Sequence, residues 1–460
     1  MVFSSITFVY AFFPLVAVAY YLSKNRVYRN VVLLLASLLF YSWGEPRFLL
    51  LMLAATLAAY CGGLLMERST AHKRLILIVT VVLLVGNLFV FKYLNFFSEN
   101  LSALFGWRAL PKLTLPIGIS FYTFQILSYV IDLYRGEIRV QRNYFYLLLY
   151  VSFFPQLIAG PIVRYETVEQ EILERRESID DVAAGLRRFI LGLAKKVILA
   201  NNIARIAETI YAGDSAVYGT ALYWLAAVAY ALQIYFDFSG YSDMAIGLGR
   251  MFGFHFLENF DHPYTALSIT DFWRRWHISL STWFRDYVYI PLGGSRNGNA
   301  RTVLSLTVVW FFTGLWHGAS WNFVLWGVML LGFILLEKFC IGNFLKEHKV
   351  LSHVYLLFVI PQTWVIFRIT RLKDVGAYFS RLFPLFGAHS AISAQDVLKL
   401  LSSYWWLLLL AIFFCLPQPR RFYEKHRGSL LVQLPLFLLF WVCVYFIATS
   451  SGNAFLYSRF

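Results

Sequence analysis

The chain has 460 residues, of which 59% are hydrophobic and only 14% charged, with a net charge of +15. A soluble domain carries about 25% charged residues, and the mean hydropathy here is +0.62. These totals exclude a soluble fold and point to an all-α polytopic membrane protein. The positive charge does not signal nucleic acid. Lys24, Arg26 and Arg29, then Arg68, Lys73 and Arg74, then Arg420, Arg421, Lys425 and Arg427 sit between apolar runs, as cytoplasmic loops do under the positive-inside rule.

Taken in chain order, apolar runs near 6–22, 31–43, 48–65, 75–94, 114–134, 144–162, 187–202, 218–238, 241–256, 302–316, 321–339, 352–369, 400–416 and 431–450 are candidate spans, since a spanning helix needs roughly 20 mostly apolar residues. No basic residue precedes the first run, and Lys24, Arg26 and Arg29 follow it. That pattern predicts a retained first helix with its N-terminus outside rather than a cleaved leader. Trp43-Gly44-Glu45-Pro46-Arg47 breaks the chain between two helices. Basic residues flank 144–162 on both sides, and Pro155 and Gly160-Pro161 interrupt it, so this run is expected to be re-entrant, with its non-helical backbone covered by protein. The charged stretch 163–188 reads as a solvated cytoplasmic helix. The expectation is 10–12 spans plus re-entrant and interfacial pieces, forming a single membrane domain over 1–460 with its chemistry at about 114–340. Cys61, Cys340, Cys415 and Cys443 show no metal-type spacing and read as small buried hydrophobes.

Three blocks place polar residues where an anchor would carry leucine. The first, Tyr235–Arg250, holds Asp237, Asp243, Ser239, Ser242 and several glycines. It reads either as helix-packing glue, with Asp243 paired to an arginine, or as the lining of a polar cavity. The second, Pro263–Gly294, contains an aromatic and arginine-rich helix that Thr270 is expected to cap. Its Arg274, Arg275 and Arg285 suit phosphate or pantetheine-type anions, and equally suit lipid headgroups. It also carries His277. The third is the run Val308–Phe323 with Trp316, His317 and Asn322. An ionisable residue at membrane depth is a functional-site candidate by default, and histidine exchanges a proton most easily near neutral pH. Neither histidine belongs to a metal-ligand cluster, so no metal is expected. There is no G-x-S-x-G elbow either.

Together these blocks resemble the membrane-bound O-acyltransferase family, in its bacterial branch of alginate-type O-acetyltransferases and, more distantly, the transporter-like protein that D-alanylates teichoic acids. The resemblance is carried by Tyr235–Gly327, where Trp276-His277-Ile278-Ser279-Leu280 and Trp316-His317-Gly318 match the family's two histidine motifs. Thr114–Tyr122, Gln156–Pro161, Met1–Ser5 and Trp364–Arg368 extend it, while 374–400 and Phe455–Phe460 match loosely. It implies a ring of tilted helices around a thinned centre and a multi-pass place in the bacterial inner membrane. It further implies an acyl thioester donor from the cytoplasm, acetyl-CoA or an acyl-carrier protein, with no bound cofactor. The acceptor would be a surface polysaccharide, reached directly or through a periplasmic hydrolase-like acetyltransferase. His317 is then expected as general base and His277 as its helper, orienting a substrate or stabilising an oxyanion. Asn322, Trp316, Arg274, Arg275, Asp237 and Asp243 are further candidates for substrate or donor binding. The competing class is a transporter or flippase of polysaccharide or acyl carrier that performs no covalent chemistry. A scaffold in a polymer-export complex is a third.

Overall fold

A computed structural model describes residues 1–69, 71–212, 219–383, 394–449 and 456. Among the described residues the secondary structure is helices joined by turns and irregular segments, with one isolated antiparallel bridge between Phe260 and Trp276. Among them, six helices are long and apolar enough to cross a membrane: Pro46–Arg68, Lys73–Phe105, Thr220–Met251, Trp321–Glu347, Lys349–Arg368 and Leu430–Thr449. A seventh is reached if Leu401–Cys415 and Pro417–His426, bent by 70°, form one span. The other apolar runs fall on helices that are shorter or less apolar, such as Arg26–Ser42, Ile119–Arg135 and Gly298–His317. The loosely matching tail lies outside the described residues apart from Leu456.

Contacts divide the chain into two compact units. The first holds Met1–Leu191 and Tyr241–Glu258. Here the helix Tyr144–Ser152 stops where the prolines dictate, and Phe153–Val163 continues as buried non-helical backbone. The charged stretch departs from expectation. It is two helices, Tyr165–Glu174 and Ile179–Ala194, and the turn between them is anchored in the protein rather than solvated. Arg175 is 3% exposed and hydrogen-bonds Asn30 Oδ1 at 2.6 Å, while Glu177 takes Arg26 Nη1 at 2.6 Å and Arg29 Nη1 at 2.5 Å. Tyr20 also donates to Glu177. A carboxylate shared by two guanidiniums and a phenol converts a sequence that looks like surface into a clamp.

The second unit holds Gly192–Gly240 and Asn259–Leu456. The helices Gly298–His317 and Trp321–Leu336 form a tight hairpin in it. A Cβ on Gly314 would lie 2.5 Å from the Phe323 carbonyl, and one on Gly327 would lie 2.5 Å from the Trp310 carbonyl. Only glycine allows the two backbones this close, as small residues do between membrane helices.

Two expected spans, 218–238 and 241–256, are in fact largely one continuous helix, Thr220–Met251 (32 residues). The helix runs unbroken through Ser239-Gly240, where small residues serve close packing. A Cβ on Gly240 would meet the Gly192 carbonyl at 2.7 Å. The expected cap also shifts. Ser268, not Thr270, caps the helix Ile269–Arg275, accepting the Asp271 N–H at 3.0 Å.

Candidate active site

His317 is the last residue of its helix, at the turn of the glycine-tightened hairpin, and is 2% exposed. Its imidazole is walled edge-to-face by Trp316 (ring centroids 5.0 Å), Trp326 (5.0 Å) and Phe367 (5.2 Å). Gly318 follows in extended backbone, and a Cβ there would fall 2.2 Å from the Phe323 ring. The tight turn therefore fixes where the imidazole points.

His277 reaches the same neighbourhood from the other motif. The helix Ile269–Arg275 ends, Trp276 runs extended against Phe260, and His277 turns the chain with φ +46° into the helix Ile278–Phe284. Non-glycine residues rarely adopt a left-handed backbone, and such positions cluster at functional sites. His277 is 1% exposed. Phe238 meets its ring edge-on at 4.7 Å and Trp316 lies at 5.8 Å. Trp316 is thus adjacent to both histidines, which the sequence leaves far apart.

An aromatic mass stands behind them. Trp273 packs on Trp326 at 5.4 Å and on Trp310 at 5.2 Å, and Trp276 packs on Trp364 at 4.8 Å. Within it the indole N–H groups of Trp273, Trp276 and Trp326, and both amide atoms of Gln362, are buried with no hydrogen-bond partner among the described residues.

The remaining candidates separate. Asn322 is fully buried, but its Nδ2 donates to the carbonyls of Ile366 (3.1 Å) and Phe367 (3.2 Å). It staples the hairpin to the helix Lys349–Arg368. Asp237 forms a buried ion pair with Lys196 and accepts the Leu456 N–H at 2.8 Å. Asp243 belongs to the first unit, where Arg188 binds it at 2.9 Å and also binds Glu258. The expected arginine partner is there. Arg275 pairs with Asp271 at 3.0 Å, and Arg274 is exposed. Asp271 is a fixed partner for Arg275, whereas nothing in the structure assigns Arg274 an anion.

Two residues with structural duties at the site were not singled out by the sequence reading. Glu337 accepts the backbone N–H groups of Ile269 (2.5 Å) and Thr270 (2.9 Å) and the Thr270 hydroxyl (2.6 Å), closing the start of the helix that leads to His277. Its signal was available, because it is an acid at the end of an apolar run. Asn259 contacts His277 and Ser279 and carried no comparable signal. Among the described residues, no group of three or more His, Cys, Asp or Glu is placed to hold a metal.

The fold and site are those of a polytopic helical membrane protein that buries two histidines in an aromatic shell. Residues 135–372 match the family model for MBOAT, the membrane-bound O-acyltransferase family. Over 394 residues the chain is 43% identical to a probable alginate O-acetylase AlgI of Azotobacter vinelandii, covering 83% of this chain and 78% of that protein. It is 42% identical over 83% of its length to the probable alginate O-acetylase AlgI of Pseudomonas aeruginosa, 75% of which is covered. The peptidoglycan O-acetyltransferase of Helicobacter pylori is 32% identical along the whole chain and 98% of its own length. The chain belongs to the membrane-bound O-acyltransferase family and is an O-acyltransferase. Acyl transfer, not bare transport or scaffolding, is the class of activity that this family defines.

Proposed function

We propose that this protein moves an acetyl group from a cytoplasmic thioester, acetyl-CoA or an acyl-carrier protein, to hydroxyls of a polysaccharide outside the inner membrane. The transfer is direct or passes through a periplasmic acetyltransferase partner. The observation that carries this reading is the approach of His317 and His277 around Trp316, within the segment matched by the family model. The acetylase names of the AlgI relatives and of the peptidoglycan enzyme support acetyl as the group.

In this mechanism the acceptor O–H gives its proton to the His317 imidazole as its oxygen attacks the thioester carbonyl. The C–O bond forms, the tetrahedral intermediate collapses, and the C–S bond breaks. The proton held by His317 passes to the departing thiolate, so the thiol leaves neutral and the histidine is restored. General base catalysis of this kind contributes about 10²–10⁴-fold. His277 binds the acceptor beside it. The aromatic shell excludes water, which would otherwise compete with the acceptor for the thioester. Nothing in the chemistry calls for a resident cofactor, because the thioester is a substrate.

The reading is tested with sealed membrane vesicles of known orientation carrying the protein and its polymer. Radiolabelled acetyl-CoA, or acetylated carrier protein, is supplied on the cytoplasmic face only. Label on hydroxyls of the polymer on the opposite face supports the proposal. Label that stays with the donor, or reaches the polymer only when donor is supplied on the polymer's own side, contradicts it.

A further inference from the structure

Asn259 meets the His277 turn at four points that together fix hydrogen positions. Its backbone carbonyl accepts the Ile278 N–H at 3.0 Å. Its side-chain Oδ1 accepts the Ser279 backbone N–H at 3.2 Å and the Ser279 hydroxyl at 2.9 Å. A backbone N–H has no lone pair to offer, so the amide atom it meets must be the oxygen, and the orientation of the Asn259 amide follows. That same oxygen lies 3.1 Å from His277 Nδ1. An amide oxygen carries no hydrogen. Nδ1 is therefore the nitrogen that donates, and in the neutral ring Nε2 is then the acceptor. The Ser279 hydroxyl also lies 3.4 Å from Nδ1, but its hydrogen goes to the Asn259 oxygen at the shorter distance of 2.9 Å, which leaves Nδ1 to donate.

The local backbone also holds the residue in place. His277 holds φ +46°, and its own carbonyl accepts the Leu280 N–H at 3.0 Å and the Ser281 N–H at 3.1 Å. Its imidazole is wedged edge-on by Phe238 at 4.7 Å. Backbone, ring plane and ring hydrogen are thus all set by neighbours.

We propose that Asn259, supported by Ser279, is a positioning residue of the acyl-transfer site that holds His277 as its Nδ1–H tautomer and so makes Nε2 a hydrogen-bond acceptor. The inference rests on the placement of His277 in the site given above and narrows its role. A neutral His277 of this tautomer cannot donate from Nε2 to an oxyanion. It can accept the hydroxyl of the incoming acceptor and hold that oxygen toward the thioester. Second-neighbour groups that fix an imidazole tautomer in this way have large effects on rate without touching substrate.

The test combines nitrogen NMR and kinetics on the full chain in lipid bilayers, with histidine labelled by ¹⁵N and the His277 signals identified by their loss in His277→Gln. In wild type, His277 should show a protonated Nδ1 and an unprotonated Nε2. Asn259→Leu should admit the Nε2–H form and lower kcat at least ten-fold, with the KM for the thioester donor unchanged. Asn259→Asp keeps an acceptor oxygen for both His277 and Ser279, and should recover most of the rate. A wild-type His277 protonated on Nε2 overturns the proposal. So does an Asn259→Leu chain whose tautomer changes while its kcat does not. If Asn259→Leu fails to insert, the wild-type spectrum and the Asp variant decide. Failure of the functional reading looks different: the wild-type tautomer is as expected, but no acetyl transfer is found and His317→Ala changes nothing.

Discussion

The ring of Phe367 packs against the imidazole of His317 with centroids 5.2 Å apart, and Asn322 holds the carbonyl of that same Phe367 at 3.2 Å. Asn322 thereby places one wall of the histidine pocket. Asn322→Ala strands two buried carbonyls and should cost about 1–3 kcal/mol of stability. The rate of acyl transfer should fall with it, as the wall relaxes. Thermal unfolding in detergent measured beside acetyl transfer checks this. A large loss of rate with an unchanged unfolding temperature would instead make Asn322 a direct donor to the reaction.

Lys196 and Asp237 form an ion pair whose side chains are 5% and 3% exposed. Removing one member of such a pair leaves a buried charge uncompensated, at a cost of about 3–5 kcal/mol, whereas replacing both with apolar residues is often neutral. Lys196→Met and Asp237→Leu should each reduce the amount of folded protein recovered from membranes. The double variant should recover more than either, with a residual deficit because Asp237 also accepts the Leu456 N–H. Single variants that yield wild-type amounts of protein would show that the pair is not structural.

In the first unit, the turn at Glu177 makes stability depend on acid. Burial pushes its carboxyl upward, but hydrogen bonds from Arg26 and Tyr20 and the charges of Arg26 and Arg29 outweigh it and hold the group at about 2, against an ordinary value of 4.5. The unfolded chain therefore takes up this proton more readily than the folded one. The stabilisation is fully present above about pH 4.5 and is lost as pH falls toward 2. Unfolding temperatures at pH 7 and pH 3.5 should differ more for wild type than for Glu177→Gln. Equal differences would remove Glu177 from the acid response.

Much of the site was legible because its chemistry sits in short local blocks. His277 and His317 stand out as ionisable residues in apolar surroundings, and motif resemblance pairs them without any knowledge of distance. Membrane class and helical content follow from composition and run length. What the sequence concealed depends on contacts across the chain. Asp237 and Asp243 look equivalent in one motif, yet Lys196 takes one and Arg188 the other. Glu337 acts on backbone groups more than sixty positions earlier. The Ser239-Gly240 pair is ambiguous for a physical reason, since small residues end helices in water but pack them closely in membranes. Arg175 and Glu177 look solvated because their stretch is charged, and only the arrival of Tyr20, Arg26, Arg29 and Asn30 makes the turn an internal clamp.

In the proposed mechanism His317 removes the acceptor's proton during acyl transfer. This role is tested most directly by transfer of radiolabelled acetyl to polysaccharide in membranes carrying wild type or His317→Ala at matched expression, with unfolding temperatures measured alongside. His317→Ala should insert and unfold much as wild type does, while its labelling rate falls at least ~100-fold, within the range of lost base catalysis. Labelling by a properly inserted His317→Ala at near the wild-type rate would contradict the assignment.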